Sequence, residues 1–400
     1  MMNRRSVLLS QCFRSLTRLA SERFRSVWRI RLKRSLLLLM VGVLSWLGVV
    51  LLPGALSRAI PAGAIAPATP PSLSQALLAQ TPTPSTAARV LAIRSVGMTV
   101  SNMDQAVEFY TQVLSFEPIS DVEVYGQEYD ALQGLFGVRM RVVRLQLGEE
   151  AIELTEYLTP QGQPIPLDSR SNDLWFQHIA IVVRDMDEAY QRLRQFNIQH
   201  VSVAPQRLPE TIPAAAGIEA FYFQDPDRHN LELIYFPPDK GDPRWQQPTE
   251  ALFLGIDHTA IGVADTETSR AFYQGLLGLR LAGESENFGR EQEYLNHVFG
   301  ARLRISGLRA DEGMGLEFLD YLSPTDGRPR PLTARPNDLL HWETTLEVAD
   351  IAQAAQQLRE WGVPFLSSRV VRLPDDRLGF RDAVLIQDPD GHVLRIIQQR

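Results

Sequence analysis

An internal repeat constrains the fold of this chain more than any other feature. Two halves of the sequence match at an offset of about 165 residues. The matching segments are Phe109-Tyr110 with Phe272-Tyr273, residues 136–141 with 299–304, Arg170-x-Asn172-Asp173 with Arg335-x-Asn337-Asp338, and Asp225-Pro226-Asp227 with Asp388-Pro389-Asp390. Self-similarity of this kind indicates one structural unit that is used more than once.

Each half divides again into two units with one common pattern. A unit begins with an alternating strand, continues through an Asx N-cap into an amphipathic helix, and closes with three strands. The helix predicted over Asp185–Phe196, with Ala189 and Leu193 facing inward, is an example. The expected fold class is α+β, with four βαβββ modules at about 91–158, 174–237, 253–322 and 339–398. Each module is too small to cover its own sheet, so we expect the modules to pair into two cupped mixed β-sheets.

The segment before the repeats is expected to target the chain to a membrane. Residues 1–34 form a basic leader with ten Lys and Arg, and residues 35–53 contain the uncharged run Leu36–Leu52, typical of a signal or anchor helix. Residues 54–90 form a Pro/Ala-rich linker, followed by predicted domains at 91–240 and 253–400. Because the basic side should stay in the cytoplasm, we expect the domains to be exported, either secreted or anchored by this segment. The sequence leaves open whether the leader is cleaved.

Charge and cysteine content limit the function of the exported part. Without residues 1–66 the chain keeps 29 Lys and Arg against 46 Asp and Glu, so its surface should repel nucleic acid. The single cysteine, Cys12, lies in the leader, so the exported part can form neither a disulfide nor a thiolate metal site. Any metal ion there must be held by histidines and carboxylates.

Histidines and glutamates recur at matching positions of the modules. The first strands align Ser95, His178, His258 and Glu343, and the last strands align Glu153, Glu232, Glu317 and Arg395. Small residues share the strand face of both histidines, which leaves space for a ligand. The alternative interpretation is a pair of core histidines, with the glutamates in salt bridges at the sheet ends. A glutamate between apolar neighbours on a strand is poorly explained in that way.

Four βαβββ modules with a histidine on the first strand and a glutamate on the last resemble the vicinal oxygen chelate superfamily. This superfamily includes glyoxalases, bleomycin resistance proteins and extradiol dioxygenases, and the resemblance covers about residues 91–400. It implies a bound divalent ion, with two imidazoles and two carboxylates suiting Zn, Ni, Co, Fe or Mn. It also implies a small substrate that chelates the ion through vicinal oxygens.

Modules can pair in two ways, and the choice decides the site. Pairing one with two and three with four would leave every site incomplete. Pairing two with three gives one whole metal site, composed of His178, Glu232, His258 and Glu317. The remaining pair, modules one and four, then forms a degenerate site with Ser95, Glu153, Glu343 and Arg395. We prefer this second arrangement because it concentrates the losses in one site.

The degenerate site carries an expectation of its own. Glu343 and Arg395 should contact each other, with the guanidinium replacing the ion. Alternatively, Arg395 reaches solvent. His341 precedes Glu343 by two residues on the same face and could replace the missing ligand if the strand shifted.

The activity implied by the resemblance is that of an exported metal-dependent lyase or isomerase. Glu232 or Glu317 would act as the catalytic proton carrier. An extradiol-type Fe(II) dioxygenase, which uses two histidines and one glutamate, is an alternative. A small-molecule binding protein without catalysis is another, favoured by the two incomplete modules. The sequence identifies neither the substrate, nor the ion, nor the oligomeric state.

Overall fold

The fold is given by a computed structural model that describes residues 88–398. The predicted leader at 1–34, the hydrophobic segment at 35–53 and nearly all of the linker at 54–90 lie outside the described residues. Among the helices of residues 88–398, none is long and apolar enough to cross a membrane.

The first two modules occupy residues 90–235. Module one contains β1 (Val90–Val100), α1 (Met103–Gln112), β2 (Glu117–Tyr125), α2 (Gln127–Gln133), β3 (Arg139–Leu147) and β4 (Glu150–Thr159). Module two contains β5 (Gln177–Val183), α3 (Met186–Gln195), β6 (Gln199–His200), β7 (Gln206–Arg207), β8 (Glu219–Gln224) and β9 (Asn230–Tyr235). A 3₁₀ turn (Pro243–Gln246) follows in the connection between the halves.

The other two modules repeat this order. Module three contains β10 (Phe253–Val263), α4 (Thr266–Arg270) with a π-helical turn (Ala271–Leu276), β11 (Arg280–Phe288), α5 (Arg290–Asn296), β12 (Arg302–Arg309), β13 (Glu312–Gly313) and β14 (Gly315–Ser323). Module four contains β15 (Trp342–Val348), α6 (Ile351–Glu360), β16 (Val371–Arg372), β17 (Asp382–Gln387) and β18 (Val393–Gln398). The α+β class and the modular pattern are as predicted.

Asx residues begin the first helix of every module, as the sequence pattern predicts. The side chains of Asn102, Asp185, Asp265 and Asp350 each accept a hydrogen bond from the backbone amide three residues later. Such a cap satisfies an amide that has no partner inside the helix. The helix predicted over Asp185–Phe196 is α3, and its Ala189 and Leu193 are buried.

The second strand is much shorter in modules two and four than the repeat suggests. It has nine residues in β2 and β11, but only two in β6, β7 and β16. Prolines explain the loss, because they cannot donate to a strand ladder. Pro205, Pro209 and Pro213 interrupt this region of module two, and Pro364 and Pro374 flank it in module four.

Two nine-stranded sheets result, and each combines modules from both halves of the chain. Eight strands of each sheet follow one continuous order, and the ninth pairs beside it, β13 with β1 in one sheet and β7 with β8 in the other. One sheet has the order β16-β17-β18-β15-β1-β4-β3-β2, so module four pairs with module one. The other has the order β11-β12-β14-β10-β5-β9-β8-β6, so module three pairs with module two. This is the preferred of the two arrangements. The assignment of residues 91–240 and 253–400 to separate domains stays a prediction.

Side-chain alternation gives each sheet two different faces. Ile179, Ile181 and Val183 on β5 join their counterparts on the other first strands and the helices in one large core. The opposite face of each sheet lines a cup. In the sheet of modules one and four, the cup is filled by a second apolar cluster. In the sheet of modules two and three, the cup contains the predicted metal ligands.

Candidate metal centre

Strand register places the four predicted ligands of modules two and three on one face. In the antiparallel pair at the sheet centre, His178 lies opposite Ala260 and His258 lies opposite Ala180. Glu232 is registered beside Ala180, and Glu317 beside Ala260. The two modules therefore contribute a histidine and a glutamate each in a two-fold arrangement, as the aligned columns require.

The ligand atoms of these residues converge. His178, Glu232 and His258 are buried, and one nitrogen or oxygen atom of each lies within 4.8 Å of the others. His178 Nε2 is 3.0 Å from Glu232 Oε2, and His258 Nε2 is 3.7 Å from the same oxygen. Glu317 approaches from the other side, with its Oε2 3.3 Å from His258 Nε2.

A carboxylate behind His258 fixes the orientation of that imidazole. The Nδ1 of His258 donates to Asp257 Oδ2 at 2.9 Å, so Nε2 is left free to face the centre. Neighbouring residues of a strand normally point to opposite faces, but a β-bulge between Ile256 and His258 leaves Asp257 outside the pairing register. The bulge allows both side chains to serve one site.

Asp257 is itself held firmly. Arg309 Nη2 donates to both of its carboxylate oxygens at 2.9 Å, and Trp245 Nε1 donates to Oδ1 at 3.1 Å. Burial alone would raise the pKa of Asp257, but the hydrogen bond from His258 and the Arg309 charge lower it. Asp257 therefore remains an anion beside the imidazole.

Several carboxylates lie close together at this centre, and they raise the pKa of His258 when no metal is bound. Burial disfavours a charged His258, but Glu317, Asp257 and Glu232 outweigh burial and raise its pKa to about 9. Burial raises the pKa of Glu317, and His258 opposes that shift. In the metal-free protein, His258 is thus a cation that balances the acids around it.

The residues fit a divalent ion. Two imidazoles and two carboxylates are the donor set of a borderline divalent metal. His178 Nε2 lies 3.0 Å from Glu232 Oε2, but the contact is not directed as a hydrogen bond, and both ring nitrogens of His178 are buried without a hydrogen bond within the described chain. That is costly for a polar group unless a ligand supplies the missing contact. A divalent ion bound between His178, Glu232, His258 and Glu317 would satisfy Nε2 of His178 and offset the negative charge.

A cavity of about 500 Å³ opens onto this centre. Its wall includes Glu232, His258 and Glu317, so a small molecule in the cavity can contact the ligands directly. The two glutamates differ in access. The side chain of Glu317 is 28 % exposed and that of Glu232 only 7 %.

The cup of modules one and four holds an ion pair at the equivalent place. Glu343 and Arg395 are in direct contact, as expected, and Arg395 Nη2 also donates to Glu153 Oε1 at 2.7 Å. The guanidinium lies over the ring of Phe380, 4.9 Å from its centroid. Arg395 opposes the effect of burial on Glu343 and lowers the pKa of that carboxyl. A buried cation therefore stands between the two acids.

The remaining residues of the degenerate site complete this picture. Ser95 is buried and lies opposite Thr345, as His258 lies opposite Ala180 in the other sheet. His341 Nε2 is 3.5 Å from Glu343 Oε2, so the histidine neighbours the ion pair without a shift of the strand. Burial lowers the pKa of His341.

Sequence reasoning did not find the residues that support the ligands. Asp257, Arg309 and Trp245 come from a bulged strand, a hairpin strand and the connection between the halves. The acid directly before His258 was a usable signal, because the second ring nitrogen of a metal-ligating histidine usually donates to a carboxylate, a backbone carbonyl or water. The bulge that aims this acid at the imidazole cannot be seen in the pattern of residues.

Fold and centre together define a tandem scaffold of paired βαβββ modules with one His/Glu centre at a module interface. The family model of the Glyoxalase/Bleomycin resistance protein/Dioxygenase superfamily matches residues 92–233 and 255–396. The chain belongs to this superfamily.

Individual relatives have different activities. The chain is similar to a 2-epi-5-epi-valiolone epimerase from Actinomyces sp, with 34% identity over 171 residues, 41% of this chain and 88% of that protein. It is also similar to a lactoylglutathione lyase from Schizosaccharomyces pombe, with 22% identity over 311 residues, 75% of this chain and 94% of that protein. The structure of this chain is also similar to the crystal structure of glyoxalase I from Zea mays, with a TM-score of 0.50 and 17% identity. The matched region covers 78% of this chain and 92% of the Zea mays chain. That likeness supports the fold alone.

Proposed function

We propose that this protein is a metal-dependent isomerase that moves a proton on a small substrate bound through vicinal oxygens. The convergence of His178, Glu232 and His258 on one point beside a cavity carries this proposal. The epimerase and the lyase among the relatives support it, because both names describe non-oxidative conversions. The ion stays open among Zn, Ni, Co, Fe and Mn.

The protein residues have separate tasks in this reaction. A divalent ion held by His178, Glu232 and His258 would supply Lewis acidity, and this would acidify a C–H bond next to a carbonyl group of the substrate. Glu317 is the better proton carrier of the two glutamates, because it is the more exposed to the cavity. Its Oε2 would accept the proton from carbon and return it to carbon, so the substrate gains and loses no atoms overall. Glu232, which contacts both histidines, would remain a ligand.

Hydrogen exchange tests this function without knowledge of the natural substrate. We expect the metal-loaded protein in deuterium oxide to exchange the carbon-bound hydrogen of an α-hydroxyketone, measured by proton NMR. Glu317→Gln should slow exchange at least about a hundredfold, while the protein still binds the metal through His178, Glu232 and His258. Glu284→Gln, which changes another carboxylate in the cavity wall, is the control and should retain exchange. Exchange by Glu317→Gln at the wild-type rate would contradict the assignment.

A second candidate function is extradiol-type oxygenation. The tight cluster contains two histidines and one glutamate, the facial set of non-haem Fe(II) oxygenases. Bound Fe(II) with consumption of dioxygen on addition of a catechol would favour it. Bound Zn or Ni with hydrogen exchange would favour the isomerase. A purified protein that binds neither ion would favour a binding protein without catalysis.

We also propose that the domains act outside the cytoplasm, where they are either secreted or anchored to the membrane. The basic leader and the uncharged run Leu36–Leu52 support this location. A phosphatase reporter fused after residue 90, which is active only after export, should show activity. Activity confined to a reporter that works only in the cytoplasm would contradict export.

A further inference from the structure

A second cavity of about 340 Å³ is lined by modules two, three and four, and it shares no lining residue with the cavity at the metal centre. Its wall comes from the segment before β5, from β6, from the turn between β8 and β9, from the end of α5 and from the start of β15. The volume is in the range of binding sites for small molecules. The side chains of this wall indicate which kind of molecule fits.

Basic side chains are prominent in the wall of this second cavity. Among residues 88–398, the wall contains two arginines and three histidines but no acid. The basic residues are Arg170, Arg228, His200, His229 and His297. Such a wall favours a negatively charged ligand, which would meet a positive potential inside the cavity.

Three of these five side chains are already engaged or uncharged. Arg170 Nη1 donates to Asp326 Oδ2 at 2.8 Å. His229 donates to a carboxylate and to a backbone carbonyl, at 2.8 Å each. Burial and the charge of Arg194 lower the pKa of His200 below its ordinary value of 6.5, so that imidazole is neutral at pH 7.

The other two, Arg228 and His297, can bind a ligand. Arg228 is half-buried, and its side chain makes one hydrogen bond to the described residues, from Nη2 to the Leu167 carbonyl at 3.4 Å. His297 Nδ1 donates to the Val201 carbonyl at 3.2 Å, which leaves Nε2 available. A carboxylate in the cavity would pair with the guanidinium and the imidazole.

Both residues stand where the other half of the chain has glycine. Arg228 has a φ of 74°, and the equivalent residue of the second Asp-Pro-Asp turn is Gly391, with a φ of 90°. His297 ends α5 with a φ of 58°, and the equivalent residue at the end of α2 is Gly134, with a φ of 62°. Side chains are disfavoured in this left-handed region, and those that occur there cluster at ligand sites. Ligand binding would explain why two basic side chains are kept at these positions.

Amide and aromatic side chains complete the wall. Gln199, Gln224 and Asn230 lie side by side on β6, β8 and β9, and Gln224 Nε2 donates to Asn230 Oδ1 at 3.1 Å. Trp175 and Trp342 also line the cavity. Indole rings supply a large apolar surface on which a flat molecule can pack.

We propose that this cavity binds a small organic carboxylate with an aromatic body, whose carboxylate pairs with Arg228 and His297. The ring of the ligand packs against the two tryptophans. Because this site is separate from the metal centre, the inference does not depend on the proposed function.

Two molecules of similar shape and different charge test this site. 2-Naphthoate carries a carboxylate where 2-naphthamide carries a neutral amide. Each is titrated into the metal-free protein by calorimetry, because a bound ion would itself capture a carboxylate. We expect 2-naphthoate to bind at least about tenfold more tightly than 2-naphthamide.

Variants locate the preference for the carboxylate. Arg228→Gly, which copies Gly391, should weaken 2-naphthoate at least about tenfold and leave 2-naphthamide unchanged. It should keep the melting temperature, because a left-handed turn suits glycine. His297→Gly should weaken 2-naphthoate about threefold or more, even if Arg228→Gly fails to fold. Ser115→Gly is the matched control, because Ser115 has a φ of 63°, its equivalent is Gly278 and it lies outside the cavity; both affinities should be kept.

Each outcome decides for or against the site. Equal affinities of the wild type for the two molecules would show that the cavity does not select an anion, and the inference is then wrong. Wild-type affinity for 2-naphthoate in both Arg228→Gly and His297→Gly would also overturn it, since the carboxylate then binds elsewhere. A charge preference that is lost in both variants and kept in Ser115→Gly supports the site.

Discussion

Asp257 is the residue on which the orientation of His258 depends. It binds Nδ1 of the imidazole at 2.9 Å and is held by Arg309 and Trp245. Loss of such a carboxylate typically reduces metal affinity by about 10- to 100-fold. We expect Asp257→Asn to weaken Zn²⁺ binding by roughly that factor, measured by competition with a chromophoric chelator.

Arg94 offers a matched control for this prediction. It occupies the corresponding bulge of β1, between Ile93 and Ser95, but belongs to the sheet with the ion pair. Arg94→Gln should leave Zn²⁺ affinity unchanged. An affinity of Asp257→Asn equal to that of the wild type would mean that His258 is positioned without its carboxylate.

Arg395 holds two buried acids together in the other cup. Removal of one partner from a buried ion pair leaves an uncompensated charge and costs about 3–5 kcal/mol. We expect Arg395→Leu to lower the free energy of unfolding in urea by about that amount. The combined replacement of Arg395, Glu153 and Glu343 by leucine should recover most of the loss. A single replacement without loss of stability would contradict a structural role for the guanidinium.

At this scale, the repeat explains how much of the site could be predicted. The ligand columns follow from strand alternation and from the comparison of modules, so the convergence of His178, Glu232, His258 and Glu317 could be predicted without a structure. Their role as metal ligands stays a prediction. Asp257 was missed because a bulge aims its side chain at the imidazole of His258. A bulge leaves no periodic trace in the sequence.

The hairpin of β8 and β9 ties its module to two others through a buried histidine. His229 donates through Nδ1 to Asp225 Oδ2 at 2.8 Å and through Nε2 to the Leu339 carbonyl at 2.8 Å. Tyr110 of α1 donates to the same carboxylate at 3.1 Å. An imidazole that donates from both nitrogens is protonated. Burial opposes that charge, but Asp225 and the carbonyl raise the pKa of His229 above its ordinary value of 6.5.

The raised pKa of His229 predicts that the protein loses stability at high pH. A folded-state pKa above the unfolded value stabilises the fold fully below pH 6.5, and the contribution disappears as pH rises through the folded pKa. We expect urea unfolding of the metal-free protein to show falling stability from pH 6.5 upward. His229→Gln should reduce that slope and cost about 1.5–3 kcal/mol at pH 6. An unchanged slope would show that His229 is neutral in the folded protein.

Element types were easier to predict than element lengths. Asx residues marked the start of every first helix, and alternation marked the first strands. The second strands of modules two and four were overestimated, because the repeat suggested a full strand where prolines prevent a ladder. Strand patterns alone did not predict which modules pair, because all four modules have similar first strands. The pairing was predicted only from the preference for placing all the missing ligands in one site.

The two cups of the molecule differ in the charged groups at their centres. One cup contains two acids and a fixed arginine under apolar packing, and the other contains two histidines, two glutamates and a cavity. A resident guanidinium repels an incoming divalent ion, whereas the His/Glu cluster attracts one. Residues 88–398 are therefore expected to bind a single ion, in the sheet of modules two and three.

Metal content per chain tests this account most directly. After removal of metals and reloading with Zn²⁺, inductively coupled plasma mass spectrometry should find one ion per wild-type chain. His178→Ala and His258→Ala should each retain none, because each removes a ligand from the only complete set among residues 88–398. One ion retained by both histidine variants, or two ions bound by the wild type, would contradict a single centre between modules two and three.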